Sequence, residues 1–119
     1  MAEILVVDDD DVIRETLHEL LSADYSCQTA DTAEEALAKL EAQRFDVVLT
    51  DISMPGLNGM ELLTRVVENY PGTPVIIISG HSDRDQLQGL INRGAFDYLL
   101  KPFRLEVVEA SVKRAIESV

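Results

Sequence analysis

The run Phe45-Asp46-Val47-Val48-Leu49-Thr50 ends on Asp51, and Ile52-Ser53-Met54-Pro55-Gly56-Leu57-Asn58-Gly59 follows at once. The apolar run reads as a buried strand and the Pro/Gly cluster as a loop. Asp51 then stands at the carboxyl end of a strand, the edge at which open α/β sheets bind ligands. Ile4-Leu5-Val6-Val7 ends the same way, in Asp8-Asp9-Asp10-Asp11. If the two strands are parallel neighbours, Asp8 and Asp9 converge with Asp51. Three carboxylates that close raise one another's pKa and cost stability. A hard divalent cation with oxygen ligands relieves this. Mg²⁺ suits a site where one or two carboxylates bind and waters and a phosphate complete the octahedron.

The rest of the chain alternates apolar strands with amphipathic helices. Strands are expected at Glu3 to Val7, about Tyr25 to Ala30, Phe45 to Thr50, Val75 to Ile78 and Phe96 to Leu100. The second alternates poorly and reads as an edge strand; Val75-Ile76-Ile77-Ile78 reads as a central one, buried on both faces. Asp10 or Asp11 is expected to cap a first helix with Val12, Ile13, Leu17, Leu20 and Leu21 inward. Asp31-Thr32-Ala33-Glu34 resembles a capping box with Asp31 as cap, opening a helix with Ala33, Ala36, Leu37 and Leu40 inward. Asn58 is expected to cap a third helix with Met60, Leu63, Val66 and Val67 inward. A fourth helix, about Asp83 to Arg93, has the smallest apolar face (Leu87, Leu90, Ile91), is weakened by Gly89 and is stopped by Gly94. The last buries Val108, Val112, Ala115 and Ile116. Single helices joining parallel strands, with both sheet faces covered, give one (βα)₅ domain over residues 1–119. It is a flavodoxin-like, doubly wound parallel α/β sheet with strand order 2-1-3-4-5, whose switch point falls between strands one and three.

At 119 residues the chain is long enough for one core. A net charge of −12 argues against nucleic acid or an anionic membrane as a direct partner. Cys27 is the only cysteine, which excludes a disulfide framework or a CxxC metal site and fits a cytoplasmic protein. Met1-Ala2-Glu3 leads straight into a strand with no basic and apolar leader, so no signal peptide is expected, and no apolar run is long enough to span a membrane.

The central strands end on Asp8-Asp9, Asp51, Ser79-Gly80 and Lys101-Pro102. Taken singly these have plainer readings: Asp9 as a helix cap, Ser79 as a turn former, Lys101 as a solvated lysine and Tyr98 as packing. Together they resemble the receiver domain of bacterial two-component response regulators. The resemblance runs through Ile4 to Asp9, Asp51 to Gly56 with Asn58 to Glu61, Ile77 to Gly80, and Gly94 to Phe103.

The resemblance implies a phosphoacceptor signalling domain that assists its own phosphotransfer and dephosphorylation, not a conventional enzyme. Asp51 would take a phosphoryl group from a sensor histidine kinase or phosphotransfer protein. Asp8, Asp9, the Asp51 carboxylate and the Ser53 backbone carbonyl would hold Mg²⁺, or Mn²⁺ in its place. Lys101 and Ser79 would each meet a phosphoryl oxygen. It also implies a cis Lys101-Pro102 bond, tuning of phosphoryl lifetime by Ser53 and His81, and a switch in which Ser79 moves inward and the Tyr98 ring follows. The surface of the fourth helix, fifth strand and fifth helix would then address a C-terminal output domain, a partner or a second copy of the chain. His18 is expected to be a surface residue.

Three other readings have specific obstacles. An aspartate-nucleophile phosphohydrolase of the haloacid dehalogenase type wants a second Asp where Ser53 stands. A flavodoxin-like FMN carrier wants a phosphate loop where four Asp stand. A degenerate receiver would not need Asp8, Asp9, Asp51, Ser79 and Lys101 all intact.

Overall fold

The computed structural model describes residues 1–52, 59–80 and 84–118, with the side chains of residues 84–87 left out. The elements are β1 (Glu3–Val7), α1 (Asp11–Leu21), β2 (Ser26–Ala30), α2 (Ala33–Ala42), β3 (Val47–Asp51), α3 (Gly59–Asn69), β4 (Val75–Ser79), α4 (Arg84–Asn92), β5 (Asp97–Leu100) and α5 (Leu105–Glu117). All strand pairs are parallel, in the order β2-β1-β3-β4-β5. This is the flavodoxin-like order read from the sequence, with β2 at an edge. β1 has its expected limits, those of the other four strands shift by one or two residues, and Asp51 is itself the last residue of β3, opposite Ile78.

Strand alternation divides the interior into two cores. Ile4, Val6, Val47, Leu49, Ile76 and Ile78 point to one face, where Leu17 and Leu21 of α1 and Val108, Val112 and Ala115 of α5 cover them. Leu5, Val7, Val48, Val75 and Ile77 point to the other, against Ala33, Ala36 and Leu40 of α2, Leu62, Leu63 and Val66 of α3 and Leu90 of α4. Every residue of β3 and β4 is buried. Parallel strands covered on both faces must be apolar throughout, and that is why these runs stand out in the sequence.

Several local expectations are corrected. Val12 is 72% exposed. It stands five residues before Leu17, about 140° round the helix axis from the buried stripe. In α3, Gly59, Leu62, Leu63 and Val66 form the buried face, Met60 is half-buried, and Val67 lies on the rim. Thr32, not Asp31, caps α2: its Oγ1 accepts the Glu35 N–H at 3.1 Å. Of the two caps expected for α1, Asp10 is the one that serves, accepting the N–H groups of Val12 and Ile13. Ile116 is only partly buried, whereas His18 is exposed, as expected. Asn58, Asp83 and the Leu87 side chain lie outside the described residues.

The end of α4 is a Schellman motif, with Gly94 N–H on Ile91 O, Ala95 N–H on Leu90 O, and Gly94 at φ +110°. That conformation needs glycine. A Cβ there would also meet Val67 Cγ2 at 2.9 Å. Among the described residues no helix is long and apolar enough to cross a membrane.

Candidate functional site

The switch point between β1 and β3 places Asp8, just past the end of β1, beside Asp51, the last residue of β3. Ligand-type oxygens of Asp8, Asp9 and Asp51 all lie within 4.8 Å of one another. Asp8 is fully buried, Asp51 is 5% exposed and Asp9 faces solvent. Lys101 reaches in from the end of β5. Its Nζ is 3.5 Å from Asp8 Oδ2 and 3.5 Å from Asp51 Oδ2. The Lys101 N–H donates to Ser79 O at 2.8 Å, tying the ends of β4 and β5 together. Ser79, the last residue of β4, is itself buried. The Lys101-Pro102 peptide bond is cis.

Backbone partners hold Asp8 in place. Its N–H donates to Ala30 O at 3.1 Å, its carbonyl accepts from Arg14 Nη1 at 2.9 Å, and its Oδ1 accepts the Asp10 N–H at 2.9 Å. The remaining oxygen, Oδ2, is buried with no hydrogen-bond donor among the described residues. Burial pushes the Asp8 carboxyl above its ordinary range. The Asp51 and Asp9 carboxylates push it further up, while the Asp10 N–H and the Lys101 ammonium pull it down.

A buried carboxylate oxygen that accepts no hydrogen bond and has only the Lys101 ammonium at 3.5 Å, in a group of acids, is what a hard cation satisfies. Three carboxylates against one ammonium leave an excess of two negative charges, the charge of one divalent ion. The donor set is all oxygen and only partly protein, which suits Mg²⁺ better than a metal preferring nitrogen or sulfur. The residues present therefore fit such an ion.

Tyr98, half-buried on β5, packs against the core on the α2, α3 and α4 face. Ser53 and His81 lie outside the described residues. Gly59, to which the sequence reading gave no role beyond following the expected Asn58 cap, lies against the backbone of Asp51. It opens α3, its N–H donates to Ile52 O, and a Cβ there would overlap the Asp51 carbonyl and come within 2.6 Å of Ile52 Cα. The sequence offered one signal for it, a glycine just ahead of a strong apolar helix pattern.

The family model for the response regulator receiver domain matches residues 4–113. The chain is 44% identical over 114 residues to the DNA-binding transcriptional regulator NtrC of Salmonella typhimurium, covering 95% of this chain and 24% of that protein. It superposes on the chemotaxis response regulator CheY4 of Vibrio cholerae with a TM-score of 0.90 at 34% identity, covering 97% of this chain and 98% of the other. It superposes on the BeF3-activated DrrB receiver domain with a TM-score of 0.92 at 35% identity, covering 98% of each. The chain belongs to the response regulator receiver domain family of bacterial two-component systems, a family of signalling domains. It spans about a quarter of the length of the curated relatives it matches.

Proposed function

We propose that this chain is a phosphorylation-operated switch in which Asp51 accepts a phosphoryl group from the phosphohistidine of a sensor kinase or phosphotransfer protein. The observation that carries this reading is the Asp51 carboxylate at a strand end, within the acidic cluster and 3.5 Å from Lys101 Nζ. An Asp51 oxygen attacks phosphorus. The P–N bond breaks, its electron pair passes to the imidazole nitrogen, which takes up a proton, and an acyl phosphate is left on Asp51. Lys101 brings a compact positive charge to the transferred group's oxygens. The Ser79 hydroxyl binds another of them.

Asp8, Asp9, Asp51 and the Ser53 carbonyl would hold Mg²⁺, with Mn²⁺ able to replace it. When bound, the ion supplies charge compensation for the phosphoryl oxygens. Ser53 and His81 are assigned the tuning of the acyl phosphate's lifetime, by positioning or excluding the water that hydrolyses it.

The added charge and acceptor oxygens draw Ser79 inward, and the Tyr98 ring moves into the space vacated. The α4-β5-α5 surface changes as a result. It addresses a C-terminal output domain, a partner or a second copy of the chain. The chain acts in the cytoplasm.

The test is incubation with acetyl phosphate and Mg²⁺ followed by intact mass measurement. One phosphoryl adduct is expected for the native chain, and none for Asp51→Asn or in the presence of EDTA. An adduct mapped to a Ser, Thr or His residue would reject the assignment. Substituting Ser53 and His81, singly and together, should change the adduct's decay rate; unchanged decay in every variant removes them from the water path.

A further inference from the structure

Arg14 sits in the first turns of α1, outside the acidic cluster, yet it bonds to the backbone of a cluster residue. Its Nη1 donates to the Asp8 carbonyl at 2.9 Å, and its Nη2 pairs with the Asp11 carboxylate. Its side chain is only 18% exposed. Its own N–H donates to Asp10 O, in the first turn that Asp10 caps. One guanidinium therefore spans the strand-to-helix turn, from the last backbone carbonyl before Asp9 to the first helical residue. Asp8 is left with its N–H, carbonyl and Oδ1 all engaged, so that the orientation of Oδ2 toward Asp51 is fixed from three directions.

We infer that Arg14 is a positioning residue for the cation site: it locks the β1–α1 turn so that the Asp8 and Asp9 carboxylates meet Asp51 in binding geometry. This rests on the reading of Asp8, Asp9 and Asp51 as a Mg²⁺ site. Arg14 has a cost that makes the inference decidable. It is a cation beside a cation site, and by Coulomb's law alone its removal should tighten Mg²⁺ binding. Loss of positioning acts in the opposite direction. A planar fork can serve the Asp8 carbonyl and the Asp11 carboxylate together, whereas a lysine ammonium on a flexible stem cannot hold both in one fixed geometry. The two explanations therefore also separate on Arg14→Lys, which keeps the charge.

The experiment measures Mg²⁺ affinity by calorimetry and Mn²⁺ affinity by electron paramagnetic resonance on the unphosphorylated chain. It compares the native protein, Arg14→Ala, Arg14→Lys and Asp9→Ala, at a temperature where circular dichroism shows each fully folded. Partners that orient metal ligands affect affinity by about 10–100-fold; Arg14 acts through a backbone carbonyl, so a weakening of about fivefold to tenfold is expected for Arg14→Ala. Arg14→Lys should recover only part of it. Affinity unchanged or tightened in Arg14→Ala, or full recovery by lysine, overturns the inference and leaves Arg14 as a charge in the site's field. If Arg14→Ala does not fold, Arg14→Lys alone decides: native affinity sinks the inference and weakened affinity supports it. A native chain that binds neither ion, or an Asp9→Ala chain that binds as the native one does, removes the cation site and the inference with it.

Discussion

At the scale of single residues, the site is built by groups that have few alternatives. Asp8 has three of its polar functions committed to Ala30, Arg14 and Asp10, and its last oxygen faces Asp51 and Lys101. Gly59 shows how close the packing behind Asp51 is. A methyl group there would come against backbone, which cannot rotate away as a flexible side chain can. Overpacking of this kind costs about 1–3 kcal/mol. Gly59→Ala should therefore lower the urea midpoint and, by displacing the Asp51 carbonyl, slow labelling by acetyl phosphate. An unchanged midpoint would show that α3 can shift its first turn freely. Gly89→Ala is the matching control, since nothing lies within 4 Å of a Cβ built there. It should stabilise by about 0.5–1 kcal/mol through helix propensity.

At the scale of elements, α5 is fastened to β5 by one polar cluster. Asp97 Oδ2 accepts from the Ser111 hydroxyl at 2.8 Å and from Arg114 Nη2 at 2.9 Å, and Asp97 Oδ1 accepts the Tyr98 N–H. Ser111 is fully buried, whereas the Arg114 side chain is 59% exposed. Asp97→Ala strands a buried hydroxyl and should cost about 1–3 kcal/mol. Arg114→Ala removes a solvent-screened ion pair and should cost under about 1 kcal/mol. Chemical denaturation of both variants checks the order, and equal losses would contradict it.

The β2 edge has its own pH signature. Burial raises the Cys27 thiol to about 11 from an ordinary 9.0. Its contribution to stability is full below about pH 9, where the unfolded thiol is still protonated, and is lost as pH rises toward 11. Native Cys27 should accordingly react slowly with iodoacetamide at pH 8 and quickly in urea; fast native labelling would show the thiol to be accessible. On the opposite edge, beryllofluoride with Mg²⁺ should change amide exchange mainly within residues 79–103. Changes confined to the surroundings of Asp8 and Asp51 would mean that the site binds a phosphoryl mimic without moving the α4-β5-α5 face.

For the whole molecule, a net charge of −12 sets up self-repulsion that any salt reduces by screening. A bound divalent ion adds a separate, saturable stabilisation. At ten times its dissociation constant this is about 1.4 kcal/mol, or a rise in Tm of about 5 °C for a chain of this size. MgCl₂ should therefore raise Tm beyond NaCl of equal ionic strength, and Asp9→Ala should abolish the difference. Equal effects of the two salts would leave screening as the sole cause.

The sequence by itself determined the layering and the location of the acidic cluster. Alternation along β1, β3 and β4 is a period-two property of near neighbours, and a continuous apolar run demands cover on both faces. The acids that end β1 and β3 were visible for the same local reason, and strand order brought them together. What depends on through-space distance had to wait for the tertiary structure. Thr32 displaced Asp31 as the α2 cap, because the cap is decided by which oxygen reaches the Glu35 N–H. Val12 turned outward, because an apolar side chain is buried only where its helix meets the sheet. Gly59 behind Asp51, Arg14 on the Asp8 carbonyl and Lys101 equidistant from Asp8 and Asp51 are contacts between different elements. Residue types could suggest such contacts, but only the packed register of β1, β3 and β5 sets their lengths, since a hydrogen bond or ion pair is made or lost over a fraction of an ångström.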